Sequence, residues 1–192
     1  MLELIGGFVL LAGVVLVVIG IAIIGMYNSL VAKDKRANNA WAQIDVQLKR
    51  RADLIPNLIE TVKGYAKFEK KVLTEVTQAR TSIMNAKTPK QSAKAEGMLE
   101  GALKSIFAVA EAYPKLQASE NFGKLQEEFS ATENKISYAR QFYNDSVMEF
   151  NTAITQFPGS VVAAIFGMKK DKEYFEVAEA DKKVVKADFS DL

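Results

Sequence analysis

The stretch ENFGKLQEEFSATENKISYARQFYNDSVMEFNTAITQF, residues 120–157, sets Phe122, Phe129, Ile136, Tyr143, Phe150 and Phe157 seven residues apart without a miss. Beside that row runs a second one, Leu125, Thr132, Ala139, Ser146 and Ala153, made mostly of small side chains. A large row next to a small row, repeated every seven residues, is what an α-helix shows when its seam inserts into the surface of a facing helix. The spacing predicts one long helix that Phe157-Pro158-Gly159 brings to a stop.

Upstream the same periodicity recurs in two rows, Trp41, Leu48, Ile55, Val62, Val76 and Ile83, and Ile44, Leu58, Tyr65, Val72 and Ala79. Pro56 lies among them, and an interior proline removes a hydrogen bond and clashes with the carbonyl four residues back. Both rows nevertheless keep their phase on either side of it, which predicts a kinked but continuous helix from about Lys33 to Lys87. Each row has one charged interruption, Glu69 in the first and Arg51 in the second. Such a residue either snorkels at the seam edge or is buried against a partner and fixes register. A further helix is expected from about Lys90 to Ala112, opened by Thr88-Pro89 and closed by Pro114, with Leu99, Ala102, Ile106, Val109 and Tyr113 on one face. After residue 157 a short apolar segment, Ser160–Phe166, precedes Gly167, and Met168–Leu192 reads as an irregular tail against the bundle.

The first 32 residues are of another kind. No charged residue stands between Glu3 and Lys33, and residues 4–26 are almost entirely Leu, Ile, Val, Ala, Gly and Phe. At about 1.5 Å per residue this run reaches roughly 34 Å, enough to cross a hydrocarbon layer of about 30 Å. It is too long for the apolar part of a signal peptide and lacks the basic start such peptides carry. Residues 4–26 are therefore expected to contact membrane lipid as a single-pass anchor. Lys33, Lys35 and Arg36 follow it directly, so the positive-inside bias puts the N-terminus outside and the C-terminal body in the cytoplasm. The plan is an all-α chain: a transmembrane anchor and exit segment (1–32), a bundle of long antiparallel helices ending in a short one (33–167), and a C-terminal tail (168–192).

Composition narrows the function. With 25 Lys and Arg against 23 Asp and Glu, and no basic stripe interleaved with aromatics, nucleic acid is not an expected partner. The absence of His removes Ser-His-Asp and Cys-His nucleophile pairs, HExxH zinc sites and Glu-x-x-His di-iron patterns, and the absence of Cys removes thiolate metal sites. Asp45, Lys49 and Asp53 sit at helix-pair spacing and read as a solvated face. No phosphate-binding glycine loop and no Gly-x-Ser-x-Gly elbow occurs. No catalytic, cofactor-binding or metal-binding residue can be assigned, and a non-enzymatic role is expected.

Helix lengths suggest where copies of the chain could meet. A first soluble helix of about 55 residues outruns its successors, which would leave Trp41, Ile44 and Leu48 without an intrachain neighbour unless the tail folds over them. In the anchor, Gly6, Gly13 and Gly20 recur every seven residues, where small side chains let membrane helices approach closely. These six residues are the expected self-association surface of a homo-oligomer.

The run WAQIDVQLKRRADLIPNL (41–58), followed by Val62-Lys63-Gly64-Tyr65 and Ala79-Arg80, resembles the signature of the bacterial LemA family. Glu111-Ala112-Tyr113-Pro114, Thr132-Glu133-Asn134-Lys135-Ile136, Ala139-Arg140, Tyr143-Asn144 and Tyr174-Phe175 fit the same family in the same order. Phe68 departs from it, standing where the family commonly has His. The resemblance implies a protein anchored in the bacterial cell membrane, with a bundle of long antiparallel helices and no nameable enzymatic activity. Its members are associated with envelope and stress physiology and, in one branch, with magnetosome membranes. The function expected is a membrane scaffold or adaptor that binds other membrane or peripheral proteins. A helical signalling module is the alternative, as is a membrane-remodelling role in which Val161–Met168 and Lys169, Lys170 and Lys172 touch lipid.

Overall fold

The computed structural model describes residues 1–65, 70–168 and 170–176; Phe68, Glu69, Lys169 and the tail beyond Glu176 lie outside the described residues, as do the side chains of Leu2, Glu3, Tyr65 and Lys70. Seven helices follow one another with no strand among the described residues: α1 (Leu2–Asp53), α2 (Ile55–Tyr65), α3 (Lys70–Asn85), α4 (Pro89–Ala110), α5 (Pro114–Gln117), α6 (Glu120–Thr155) and α7 (Gly159–Ile165). The all-α expectation holds. The chain divides into two compact units, one made of residues 1–40 and 144–172, the other of 41–143 and the segment from Glu173 on.

α1 carries the apolar span and the first bundle segment in one helix because neither Gly nor Pro occurs between Gly25 and Pro56. Its solvated stretch is laced by pairs one turn apart, Asn38 to Asp34 at 3.1 Å and Lys49 to Asp45 at 2.9 Å. Pro56 interrupts the helix at Leu54, where the Leu54 amide donates to the Arg51 carbonyl three residues back at 3.3 Å, and the helix resumes as α2 with the proline in its first turn. The carbonyl that a proline at 56 leaves without its amide is that of Ala52, and it accepts instead from the Arg80 guanidinium of α3 at 3.2 Å. The expected continuous helix is thus α1, a one-residue break, and α2; whether it passes unbroken into α3 rests on residues 66–69, outside the described residues.

In the unit beginning at Trp41, both upstream rows point inward: Ile44, Leu48, Ile55, Leu58 and Val62 are buried, as are Val72, Val76, Ala79 and Ile83 of α3, which packs along α4. Thr88 caps α4 by accepting from the Gln91 amide at 3.2 Å, with Pro89 as the first helical residue. The buried face of α4 is Leu99, Ala102, Leu103, Ile106 and Ala110. It is turned slightly from the expected one, leaving Val109 and Tyr113 half-buried. From α6, Phe122, Phe129, Ile136 and Tyr143 are buried, and Phe107 of α4 meets the first two edge-on, with ring centroids 5.9 and 6.2 Å away. Trp41 faces Tyr143 (5.6 Å), while Arg51 farther along α1 faces Glu133 earlier on α6, so the two helices run antiparallel.

In the other unit, Leu30 of α1 and Phe150 and Ile154 of α6 form a core with Val162 and Ala163 of α7, joined by Ile23, Met26, Tyr27 and Met168. The seven-residue row ends here. α6 stops at Thr155, so Phe157 leaves the helical phase and is 84% exposed. Gly159 makes the turn into α7 feasible, since a Cβ there would lie 2.2 Å from the Ala153 carbonyl oxygen. Gly159→Ala is therefore expected to destabilise this unit by about 1–3 kcal/mol, read as a lower thermal midpoint of the full-length protein in detergent. At the far end Gly167, with φ +75°, supplies the left-handed residue of a Schellman cap, in which the Met168 amide donates to the Ala163 carbonyl at 2.8 Å.

Residues 170–176 are non-helical, as expected of the tail. Asn151 clamps the Lys172 backbone by donating to its carbonyl (3.0 Å) and accepting from its amide (2.9 Å), and the Lys172 ammonium pairs with Asp34 at 2.8 Å.

Candidate functional site

The most unusual chemistry lies in the bundle core, where α1, α4 and α6 each bring charge to one point. Arg51 is 4% exposed and donates to Glu133; it lies 3.7 Å from Glu96, which is itself 3% exposed. Arg140, two turns after Glu133 on the same face of α6, donates to Glu96 at 2.8 Å and to Glu133 at 3.1 Å. Two cations and two anions therefore alternate around a closed set. Of the two readings open for Arg51, the structure takes the buried and paired one; Glu69 lies outside the described residues.

Burial dominates the electrostatics. Desolvation, opposed by Arg140 and Arg51 and reinforced by Glu133 and Glu100, raises the Glu96 carboxyl from its ordinary 4.5 to about 7. The folded state thus holds a proton that the unfolded chain releases between about 4.5 and about 7. Stability from this group is greatest below that window and is lost as pH rises through it. Glu96→Gln is expected to flatten that descent, so the thermal midpoints of variant and wild type should diverge across the window when measured point by point in pH.

A second polar feature borders the first. Tyr143 donates to the Glu173 carbonyl at 2.7 Å, and burial, with Glu173 nearby, pushes its phenol up to about 12, so it stays a donor. Phe175, 3% exposed, lies 6.3 Å from the Trp41 ring and 5.4 Å from the Arg140 guanidinium carbon. A groove of about 380 Å³ runs past Arg51 and Glu133 and is lined otherwise by Phe107, Phe129, Lys104 and Gln126 among others. Arg51, Glu96, Glu133 and Arg140 thus pair with one another across three helices.

The residues expected to meet a second copy fall in different places. Ile44 is fully buried, Leu48 is 2% exposed and Trp41 is half-buried between Tyr143 and Phe175, so the premise of an apolar row without intrachain neighbours is not met. α6 runs antiparallel beside this part of α1, which helix lengths alone did not indicate, and at Trp41 the alternative of a tail folded over the row is met by Phe175. Gly6, Gly13 and Gly20 stand in the exposed apolar span, and a Cβ on any of them would meet nothing within 4 Å. Glu96 escaped the sequence reading altogether. Its signal was present, since it sits three residues before Leu99 on the apolar face of α4, where a carboxylate demands a partner.

α1 contains a stretch long and apolar enough to cross a membrane, none of whose most apolar window is buried within the chain. Magnetosome protein MamQ of Magnetospirillum gryphiswaldense is 22% identical over 185 residues, covering 83% of this chain and 68% of that protein. Protein LemA of Metamycoplasma hominis is 30% identical over 144 residues, covering 73% and 64%, and magnetosome protein MamQ 2 of Paramagnetospirillum magneticum is 24% identical over 176 residues, covering 78% and 64%. The chain thus spans about two thirds of the length of these relatives. The model of the LemA family matches residues 40–189, which takes in α2 to α7 and every member of the ion set around Arg51 and Glu96. With that match over most of its length and an exposed apolar helix ahead of it, the chain is a membrane-anchored helical protein and belongs to the LemA family.

Proposed function

We propose that this protein is a non-enzymatic scaffold of the bacterial inner membrane, whose copies associate through the span and present the bundle to other membrane or peripheral proteins. The observation that carries the reading is that the exposed apolar stretch and the first bundle helix are one element, Leu2–Asp53. Association of spans in the bilayer plane therefore bears directly on the helices that follow. Gly6, Gly13 and Gly20 are the surface for that association, because two helices can close on a glycine face without side chains between them. The polar groups of the bundle support the non-enzymatic part: Arg51, Glu96, Glu133 and Arg140 pair with one another, and Asp45 pairs with Lys49 at the surface. Lys33, Lys35 and Arg36 favour a cytoplasmic bundle. Relatives named as magnetosome proteins accord with work at a membrane.

The test is the mass of the full-length protein in mild detergent, beside a variant with Gly6, Gly13 and Gly20 all changed to Ile. More than one copy per micelle for the wild type and a single copy for the variant is the expected result. Single copies for both would remove the association and with it the scaffold mechanism.

A further inference from the structure

We propose that the corner made by Phe157, α7 and Phe166 is a second membrane contact, seated at the headgroup level beside the end of the apolar span. The proposal rests on the span being in the bilayer. Along α1 the apolar side chains stay exposed as far as Ile24, and the first charged residue after them is Lys33. α7 packs between those two points, because its buried residues Val162 and Ala163 share a core with Ile23, Met26, Tyr27 and Leu30. That fixes its height: whatever depth Ile24 occupies, α7 lies within about two helical turns of it, roughly 11 Å.

Two residues of α7, Val162 and Ala163, suffice to cap this core. The side chains left over are large and apolar: Phe157 is 84% exposed, Ile165 64%, Val161 50% and Phe166 49%. Val161 and Ile165 are one turn apart on one face of α7. Four such groups exposed within residues 157–166 leave apolar surface that is unusual facing water and ordinary facing acyl chains. Its continuity with the exposed face of the span identifies the occupant as the bilayer itself. The aromatic pair Tyr27–Phe166, with centroids 4.5 Å apart, stands where membrane proteins collect aromatic rings. Basic groups follow on the water side, Lys33 and Arg36 held by Glu149 at 3.5 and 3.2 Å and Lys172 by Asp34, so the collar has an apolar base and an ionic upper edge. The tight corner at Gly159 and the Schellman cap at Gly167 hold α7 in that place.

The chain has no cysteine, so single labels are clean. Full-length protein carrying a bimane on one engineered cysteine at Phe157, Val161 or Ile165 is reconstituted in vesicles of phosphatidylcholine with a minority of phosphatidylglycerol. Part of the phosphatidylcholine bears a doxyl quencher near the top of its acyl chain. Ile24→Cys serves as the in-membrane reference and Val46→Cys, at an exposed bundle position, as the aqueous one. The expected result is quenching at Phe157, Val161 and Ile165 comparable to that at Ile24, several-fold stronger than at Val46, with little quenching by aqueous iodide. Strong lipid quenching at Ile24 with iodide access at the three corner positions would overturn this contact and leave the anchor intact. Iodide access at Ile24 as well would overturn the anchor, and the corner contact with it.

Discussion

Arg51→Ala is expected to destabilise the bundle by about 3–5 kcal/mol, the range for removing one member of a buried ion pair and stranding its partner. The partner stranded is Glu96, 3% exposed and already raised toward neutrality by burial. Arg140 remains at 2.8 Å, but it must then satisfy Glu96 and Glu133 alone. The loss should show as a large drop in the urea midpoint of the helical signal in detergent-solubilised protein. Adding Glu96→Gln to Arg51→Ala should recover part of it, because the second change removes the charge that the first left uncompensated. Equal losses for the single and double variants would mean that Arg51 acts through the packing of its aliphatic stem rather than through Glu96.

Ile136→Ala is the second large effect, at about 2–5 kcal/mol for a fully buried branched side chain in a close-packed seam. Phe157→Ala, at the same phase of the seven-residue row, should change stability by less than about 0.5 kcal/mol. The contrast separates periodicity from burial. Ile136 lies mid-helix on α6, whereas Phe157 lies past its end at Thr155. Comparable losses at both positions, measured by the same denaturation, would contradict the placement of the helix end.

Most of the fold was written in periodicity. The rows from Trp41 to Ile83 and from Phe122 to Phe150 are buried where their members are described, apart from the half-buried Trp41 and Ala139. A helix buried on one stripe advertises that stripe whatever faces it. Pairing was less legible, because a stripe does not say which partner covers it; Ile44 and Leu48 are buried within the chain, and Trp41 lies against Tyr143 of α6 and Phe175 of the tail. The same limit hid the ion set. Arg51 was visible as a charge inside an apolar row and Glu96 as a carboxylate on the apolar face of α4, but Glu133 and Arg140 are ordinary surface letters until α4 and α6 are placed against α1. Pro56 is the converse case: its effect on Ala52 followed from chain geometry, while the choice of Arg80 to answer it required the fold.

The central claim is that spans meet through their glycine face, and oxidative crosslinking in native membranes tests it most directly. Single cysteines replace Gly6, Gly13 and Gly20 on that face, and Leu11, Val15 and Val18 on the opposite one. The account predicts disulfide-linked dimers at the three glycine positions and none at the other three. Equal crosslinking at all six, or none at any, would contradict it.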